Sequence, residues 1–375
     1  MTPLRIGLVG LGPISTGPFN AGEWGIQHMN AAINSPYLEL VAVCNSTKES
    51  AQKSIASHGL PSTVKAYGSM GDIANDPNVD LVAVVVHLDK HYKLAKTLLQ
   101  YNKDLLIEFP ATPSVAQTSE LAELAKSRGV KIIIGSQGRC DPAVSKLREL
   151  VDSKIIGDVV YSTFIGHTSL DASQGWLEAQ SGALDLDSGI SRFNIVFGHQ
   201  IDAFISVLGS FSSIQTAFKT KEKTTRLLDA RGNVVDPLYK ITSPDIILVQ
   251  GVLEQGAAAS FQLRTNKCPA DGVGSRWIIS GTEGELIYTG GPGFFHMGTP
   301  GGKITLNKWT AEAEEIDFRS EEKEYINRVD APGVNILRLY EAFAQGKKNA
   351  YASIEDSLET QRFLENVKQN AVWAP

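Results

Sequence analysis

Cysteine is scarce in this sequence of 375 residues, which contains three: Cys44, Cys140 and Cys268. They lie far apart, and no two of them form a Cys-x-x-Cys pair. This spacing excludes a disulfide framework and a zinc module, and we expect no metal site. Unpaired cysteines are typical of a reducing compartment, so we expect the protein to be cytoplasmic.

Long apolar runs and an excess of positive charge are also absent. The longest apolar run covers residues 81–86, whereas a membrane-spanning helix needs about 20 residues. Lys and Arg number 35 against 41 Asp and Glu, which gives a formal net charge of −6. Proteins that bind nucleic acid usually carry a basic stripe. We therefore expect neither a membrane nor a nucleic acid as a direct partner.

What the sequence does contain is an alternation of strand and helix patterns over its first 136 residues. The patterns predict strands at 5–9, 39–44, 81–86, 105–108 and 131–135, and helices at 25–34, 48–58, 91–101 and 114–128. Repeated β-α-β units require a parallel, doubly wound sheet with helices on both faces. At about 150 residues per domain the length fits two domains, and we assign residues 1–136 to the first.

After Asp141-Pro142 the pattern changes to strands that are separated by short turns. Strands are predicted at 159–166, 213–218, 246–253, 257–263, 277–280 and 285–288, and helices at 144–153, 334–345 and 354–369. We predict a C-terminal α+β domain at 137–375 with a largely antiparallel, open sheet. Its last helices could pack back on the first domain. The glycine-rich stretch 290–302 is typical of a solvent-exposed loop.

A glycine-rich turn follows the first predicted strand. Gly10-Leu11-Gly12 lies between that strand and a helix, which is the arrangement of a dinucleotide-binding turn. Gly10 permits the tight turn, and Gly12 lets the backbone approach a pyrophosphate at the helix N-terminus. The third glycine of the usual pattern is displaced, and Gly25 could take over its close-packing role. Ser15 and Thr16 could donate hydroxyls to a phosphate, or they could be solvated loop residues.

The end of the second predicted strand bears on the choice between NAD and NADP. An acidic residue there, about 20 residues after the glycine fingerprint, would bind the ribose 2′-hydroxyl of NAD. Counted from Gly25, that position is Asn45, and Ser46, Thr47 and Lys48 follow it. Hydroxyls and an ammonium group can bind a 2′-phosphate, so we predict NADP as the preferred cofactor and NAD as the alternative. The same residues could also cap the helix that begins near Lys48.

Several motifs resemble the glucose–fructose oxidoreductase / inositol dehydrogenase superfamily. They are Gly7-Leu8-Val9-Gly10-Leu11-Gly12, Val84-Val85-Val86 with His91, Glu108-Phe109-Pro110, Gly198-His199-Gln200-Ile201-Asp202 and Ile354-Glu355-Asp356-Ser357. Further strings resemble the fungal branch that includes the galactose-pathway transcription inhibitor: Gly135-Ser136-Gln137-Gly138-Arg139, Phe197-Gly198-His199, Leu228-Asp229-Ala230-Arg231-Gly232-Asn233 and Gln250-Gly251. The resemblance implies a Rossmann domain followed by an α/β domain whose open sheet forms a homodimer or homotetramer.

Two positions depart from this superfamily. Its enzymes usually carry Glu-Lys-Pro where this chain has Glu108-Phe109-Pro110, and the lysine there positions and deprotonates the substrate hydroxyl. They often carry an aspartate four residues before the histidine, where this chain has Ile195. Of the usual Lys, Asp and His set only His199 is left, and we predict it to be the catalytic acid or base. A structural role at the start of its helix is the alternative.

The resemblance places the nicotinamide at the carboxyl ends of the parallel strands, and we expect further side chains near it. At the cofactor edge we expect His87, His91, Glu108 and Pro110, although either histidine could be structural. In the substrate pocket we expect Phe109, Gln137, Arg139, Trp176, Asn194 and Asp202. Arg139 could instead form an interdomain salt bridge, and Trp176 could belong to the core. Asp202 could orient His199 or cap its helix.

Together these features predict an NAD(P)-dependent oxidoreductase with an atypical active site that acts on a small carbonyl, hydroxyl or imine compound. Because Phe109 replaces the lysine, we favour a substrate whose reaction needs little proton transfer from the protein. The alternative is a non-catalytic NAD(P)-binding transcription regulator with a transcription-factor partner, which could also be nuclear. A third hypothesis is a lyase or epimerase that holds NAD tightly and recycles it.

Overall fold

The structure is a computed structural model that describes residues 2–14, 23–265, 269–298, 301–320 and 322–374. The chain divides into two compact units. The first unit consists of Met1–Cys140 and Glu324–Gln361, and the second of Asp141–Lys323 and Arg362–Pro375.

Strands and helices alternate up to Cys140. The strands are β1 (Leu4–Val9), β2 (Leu38–Cys44), β3 (Lys65–Tyr67), β4 (Leu81–Val84), β5 (Asp104–Ile107) and β6 (Ile132–Ile134). The helices are α1 (Glu23–Ile33), α2 (Lys48–Ser57), α3 (Met70–Asn75), α4 (His91–Leu99) and α5 (Val115–Arg128). Two 3-10 turns, Leu88–Lys90 and Gln137–Cys140, come after β4 and β6.

Strands dominate the next part of the chain. It contains α6 (Pro142–Asp152), β7 (Val159–Thr168), β8 (Trp176–Leu177), a π-helical turn (Phe193–Phe197), α7 (Gly198–Leu208), β9 (Phe211–Lys219), β10 (Thr224–Leu228), β11 (Val234–Lys240), β12 (Ile246–Leu253), β13 (Ala258–Thr265), β14 (Ser275–Gly281), β15 (Gly284–Gly290), β16 (Lys303–Lys308), β17 (Glu314–Ile316) and α8 (Glu322–Arg328). The last elements are α9 (Gly333–Ala344), β18 (Ala352–Ser353), α10 (Ile354–Gln369) and β19 (Ala371–Trp373).

The sheet of the first unit has seven strands in the order β18-β6-β5-β4-β1-β2-β3. Every neighbouring pair from β6 to β3 is parallel, and only β18 runs antiparallel to its neighbour. The order β3-β2-β1-β4-β5-β6 is that of dinucleotide-binding folds, in which the strand order reverses between β1 and β4. The predicted doubly wound Rossmann sheet is therefore confirmed, and its switch point lies beyond Val9 and Val84.

Local sequence signals set the helices of this unit. Ser114 caps α5 by accepting a hydrogen bond from the backbone N–H of Gln117, and Gly129 ends the helix at a φ of 66°. Thr47 caps α2 in the same way. The strands contribute buried apolar side chains to the core, among them Ile6, Leu8 and Leu81.

The second unit is built on a nine-stranded sheet in the order β17-β16-β15-β14-β7-β13-β12-β9-β19. Its pairs are antiparallel except β13 with β7 and β19 with β9. This confirms the predicted, largely antiparallel C-terminal sheet. A small sheet in the order β11-β10-β8 lies outside it.

One face of the large sheet carries an aromatic core. Phe164 and Phe261 stack on neighbouring strands with ring centroids 4.5 Å apart. Trp277 meets Phe164 edge-on, and Phe204 of α7 stacks on the same tryptophan. Aromatic pairs of this kind contribute beyond their buried area, so they fix α7 on the sheet.

The stretch 290–302 differs from the solvent-exposed loop expected of it. Phe295 and His296 lie in a 3-10 turn and are both buried. The backbone N–H of Phe295 donates to the side-chain oxygen of Gln200 on α7 at 2.9 Å. The expectation failed at these residues because glycine content reports backbone freedom and not whether an intervening aromatic side chain is buried.

Candidate cofactor-binding site

The turn after β1 leaves no room for a side chain. Gly10 has a φ of 103°, and a Cβ there would lie 2.0 Å from the carbonyl oxygen of Val85. A Cβ on Gly25 would lie 2.6 Å from the carbonyl oxygen of Gly10, so the close-packing role expected of Gly25 is confirmed. The turn is therefore closely packed between the end of β4 and the first turn of α1, at the switch point of the sheet.

Side chains from the end of β2 and from α2 form hydrogen bonds with the carbonyl groups of this turn. Asn45 donates its side-chain amide to the carbonyl of Leu11 at 2.9 Å, and Ser54 donates to the same carbonyl at 2.7 Å. His58 contacts the carbonyl of Gly12 at 2.8 Å through Nε2. The amide of Asn45, which we expected near the ribose, thus supports the glycine turn.

Of the other residues predicted around the ribose, one caps a helix and two are exposed to solvent. Thr47 caps α2 by accepting a hydrogen bond from the backbone N–H of Ser50, which is the capping role that we gave as the alternative. Ser46 and Lys48 are exposed, and Lys48 lines a groove between α2 and β3 together with Gln52 and Tyr67. Ser15 and Thr16, the predicted phosphate contacts, lie outside the described residues.

The two histidines after β4 are in different environments. His87 is exposed and pairs with Asp89 at 2.7 Å. His91 is buried, and its two ring nitrogens face the carbonyl oxygens of Val86 at 2.9 Å and Pro110 at 3.1 Å. Burial lowers the pKa of His91 despite these two carbonyls. His91 therefore ties the end of β4 to the turn after β5.

Glu108, at the carboxyl end of β5, joins a buried polar network. It accepts hydrogen bonds from Trp24 Nε1 at 2.7 Å and lies 2.9 Å from His28 Nε2. The other ring nitrogen of His28 lies 2.8 Å from the hydroxyl of Tyr340 on α9. Burial, followed by the charge of Glu108, raises the pKa of Tyr340 well above its usual value. Both carboxylate oxygens of Glu108 are engaged.

Phe109 is buried at the position where the superfamily usually has a lysine. Its peptide bond to Pro110 is cis. A phenyl ring can neither donate nor accept a proton in a reaction. The end of β5 therefore presents an apolar side chain between the engaged carboxylate of Glu108 and the carbonyl of Pro110.

The segment after β6 contains two predicted site residues, Gln137 and Arg139, and their neighbour Ser136. Ser136 and Gln137 are buried, and neither the Ser136 hydroxyl nor either amide atom of Gln137 has a hydrogen-bond partner among the described residues. Arg139 forms an ion pair with Asp356 at 3.0 Å within the first unit, instead of the interdomain pair considered above. Burial alone would raise the pKa of Asp356, but Arg139 and Ser353 outweigh it and the pKa is lowered.

In the second unit, His199 stacks on a second histidine. The ring centroids of His199 and His296 are 4.0 Å apart with the planes inclined by 18°. Phe294 stacks on the outer face of His296 at 5.3 Å. Burial lowers the pKa of His199 to about 3, so its imidazole is neutral at physiological pH.

The remaining predicted pocket residues also belong to the second unit. Trp176 donates its indole N–H to the carbonyl of Gln180 at 2.9 Å and packs against a small apolar cluster under β10. Asn194 donates its amide to the carbonyl of Ser188 at 2.8 Å. Asp202 is buried on α7, one turn after His199.

The residues at the switch point of the first unit fit a nicotinamide dinucleotide. Gly10 has no side chain in the turn, and Gly25 in the first turn of α1 lies against it, so the positive end of this helix lies at the same edge. When bound, such a cofactor donates or accepts a hydride. Within the described ranges no group of three or more His, Cys, Asp or Glu side chains could hold a metal ion. No helix in the described part of the chain is long and apolar enough to cross a bilayer.

Two family models match this chain. Residues 4–136 match the oxidoreductase family with an NAD-binding Rossmann fold (GFO_IDH_MocA), and residues 142–290 match the C-terminal domain of Gal80p. Together these matches confirm the predicted resemblance to the Gfo/Idh/MocA superfamily and to its Gal80-like branch. Strands β1 to β6 and the glycine turn described above lie within the residues that match the first of these models.

The relatives of this chain include regulatory proteins and a dehydrogenase. The galactose/lactose metabolism regulatory protein GAL80 of Kluyveromyces lactis is 27% identical over 79% of this chain, which spans 65% of that protein, just under two thirds. Dehydrogenase aclE of Aspergillus oryzae is 26% identical over 84% of this chain and 85% of its own length. A super-repressor mutant of Gal80p from Saccharomyces cerevisiae shares the fold with a TM-score of 0.81, at 22% identity over 98% of this chain and 96% of its own.

Three residues of these clusters were not singled out from the sequence: Trp24, His28 and His296. Trp24 and His28 lie four residues apart on α1 and so share one helix face. That spacing was visible in the sequence and could have indicated that the two side chains meet the same neighbour. His296 follows two phenylalanines, and nothing in its local sequence indicated that it would meet His199.

Proposed function

We propose that this chain is an NAD(P)-dependent oxidoreductase with an atypical active site that acts on a small carbonyl, hydroxyl or imine compound. One observation carries the cofactor half of the proposal: Gly10 lies against the carbonyl of Val85 at the switch point of a doubly wound sheet. Ligands of such sheets bind in the crevice outside the strand ends at that point.

The chemistry in this proposal depends on which side chains can transfer a proton to or from the substrate. In the first unit Glu108 and His91 are occupied by hydrogen bonds, and Phe109 has no proton to give. In the proposal His199 is the group that meets the substrate. A neutral imidazole can polarise a carbonyl oxygen by donating a hydrogen bond, which suits an enone, an imine or an apolar ketone better than a sugar alcohol.

The preference for NADP is part of the same proposal. Residues 45–48 offer no carboxylate that would repel a 2′-phosphate, and Ser46 and Lys48 are exposed. Lys48→Glu is expected to weaken NADPH binding more than NADH binding, because it places a negative charge beside the phosphate. Lys53→Glu, on the same helix, is the matched control and should leave the ratio of the two affinities unchanged.

A second candidate is a non-catalytic regulator that binds NAD(P) and a transcription factor. Two observations favour it: Phe109 replaces the group that usually handles the proton, and the relatives include the regulatory protein GAL80. Such a protein would act in the nucleus as well as the cytoplasm. It would bind the dinucleotide firmly without turning it over.

A homodimer or homotetramer through the nine-stranded sheet also remains part of the proposal. Leu248 and Ile165 lie in one cross-strand row, linked through Gln262, and both are exposed. Tyr161 and Val252 lie in another row, linked through Ala258, and are exposed as well. Rows of exposed apolar side chains on a sheet face are typical of a protein–protein interface.

One experiment separates enzyme from regulator. The purified protein is titrated with NADPH and NADH by calorimetry and then assayed for turnover against a panel of ketones, enones, imines and alcohols. The enzyme proposal expects turnover with at least one compound and its loss in His199→Gln. Firm cofactor binding with no turnover on the whole panel would favour the regulator instead.

A variant at Phe109 sharpens this comparison. Phe109→Lys restores the usual ammonium group and is expected to produce or raise activity toward alcohols, with Phe109→Leu as the apolar control. If neither nucleotide binds at millimolar concentration, both candidate functions fail together.

A further inference from the structure

Two consecutive side chains after β6 have unmet hydrogen-bonding capacity. Ser136 and Gln137 are 1% and 0% exposed, and the Ser136 hydroxyl and both amide atoms of Gln137 lack partners among the described residues. A buried amide without partners is unfavourable, and folded proteins contain few of them. Two such side chains in adjacent residues are what a site for a bound ligand would present.

The neighbouring polar groups are already engaged and do not supply that partner. Glu108 is held by Trp24 and His28, and Arg139 is paired with Asp356. His91 has a backbone carbonyl at each ring nitrogen. None of these groups forms a hydrogen bond with the amide of Gln137, which has no partner among the described residues.

The position of the segment in the sheet indicates which part of a ligand would meet it. In a doubly wound sheet the second mononucleotide half, formed by β4, β5 and β6, takes the nicotinamide end of a dinucleotide. Ser136 and Gln137 follow the carboxyl end of β6 directly. A primary amide offers one acceptor and two donors, and a carboxamide on the ligand can match the acceptor and one donor at once.

We propose that Gln137, assisted by Ser136, pairs with the carboxamide group of the nicotinamide and selects it over the free acid. This inference rests on the proposed binding of NAD(P). The amide oxygen of Gln137 accepts from the carboxamide N–H, and its N–H group donates to the carboxamide oxygen. A carboxylate in the same place would have no N–H to donate, and it would repel the amide oxygen.

The test compares three dinucleotide probes by calorimetry: NAD⁺, nicotinic acid adenine dinucleotide and ADP-ribose, which lacks the nicotinamide. The wild-type protein is expected to bind NAD⁺ about tenfold or more tightly than the acid, because the acid has no N–H for the amide oxygen of Gln137 and places a negative charge against it. In Gln137→Met, which keeps the volume, that ratio should fall to about one, while the affinity for ADP-ribose stays within about twofold of the wild-type value. Gln100→Met, at an exposed site, is the control.

The outcomes distinguish this inference from the proposed function. If the wild-type protein binds none of the three probes, NAD(P) binding itself is wrong. If it binds all three but does not separate NAD⁺ from the acid, or if Gln137→Met keeps the ratio, only the carboxamide pairing is overturned. Ser136→Ala, which removes one hydroxyl, should lower the ratio partially and serves where Gln137→Met does not fold.

Discussion

The carboxylate of Glu108 occupies the space above Gly135. A Cβ on Gly135 would lie 2.3 Å from Oε1 and 3.0 Å from Oε2 of that carboxylate. These are distances that real Cβ atoms do not tolerate, so the glycine at the end of β6 and the glutamate at the end of β5 depend on each other. The carboxylate is in turn held by Trp24 and His28 of α1.

This relationship predicts a non-additive pair of substitutions. Gly135→Ala alone should lower the free energy of unfolding by about 1–3 kcal/mol, because the methyl group collides with a fixed carboxylate. Glu108→Ala alone should lower it by about 2–4 kcal/mol, because Trp24 and His28 lose their acceptor. In the double variant the collision is gone, so its loss should be smaller than the sum by more than about 0.5 kcal/mol. Urea unfolding measures all three, and simple additivity would contradict the packing described here.

A matched carboxylate at the surface provides the comparison for Glu108. Glu120 pairs with Lys96 at 2.6 Å, and both side chains are nearly half exposed. Exposed pairs contribute little, so Glu120→Ala should change the free energy of unfolding by no more than about 0.5 kcal/mol.

Gly10 leads to a second prediction at the other side of the switch point. Gly10→Ala combines a φ of 103° with a Cβ 2.0 Å from the carbonyl of Val85, and it should cost about 3 kcal/mol of stability. It should also abolish measurable NADPH binding, because the turn must move. Gly256→Ala has a similar positive φ of 94° but open space around it, and should cost only about 1–2 kcal/mol and leave binding intact. Equal losses in the two variants would mean that backbone strain alone explains them.

Much of the first unit could be predicted from the sequence because its signals are local. The buried parallel strands are short β-branched runs, and α5 is bounded by Ser114 and Gly129. The strand β3 and the helix α3 were missed. Strand β3 has only three residues, Lys65–Tyr67, with no apolar alternation, and α3 is six residues long. Such elements are set by tertiary pairing rather than by periodicity.

The connections within the site could not be predicted in the same way. His28 lies 80 residues from Glu108 and 312 residues from Tyr340 along the chain, and no pattern of one sequence indicates such contacts. Asn45 was placed correctly at the end of β2, but the direction of its amide toward Leu11 depends on the packed turn. The strand order that creates the switch point was foreseeable, whereas the partners of each polar side chain were not.

Burial of His199 predicts a dependence of stability on pH. Its pKa is lowered to about 3 in the folded state against about 6.5 in an unfolded chain. The unfolded state therefore binds more protons between these values, and stability falls as the pH drops below 6.5, by about 1.4 kcal/mol per pH unit for this one group. His199→Gln should lose about 2 kcal/mol less than the wild-type protein between pH 6.5 and 5.

Urea unfolding at the two pH values measures this difference, and nitrogen-15 spectra of the wild-type imidazole provide a test without any substitution. The spectra should show a neutral His199 ring throughout the range from pH 8 to pH 5. A ring that gains a proton near pH 6.5 would contradict the burial described here, as would equal slopes in wild type and variant.

The open face of the nine-stranded sheet yields the last prediction. Leu248 is 41% exposed in β12, and its neighbours on this face include the exposed Ile165. If two copies of the chain meet through this face, Leu248→Arg removes an apolar contact and buries a charge in each copy, which should weaken the assembly about 10- to 100-fold. Leu238→Arg is the control, because Leu238 is 71% exposed in β11 and lies outside this sheet. Light scattering over a concentration series should show dissociation of Leu248→Arg only; a wild-type monomer, or dissociation of both variants, would remove this face as the interface.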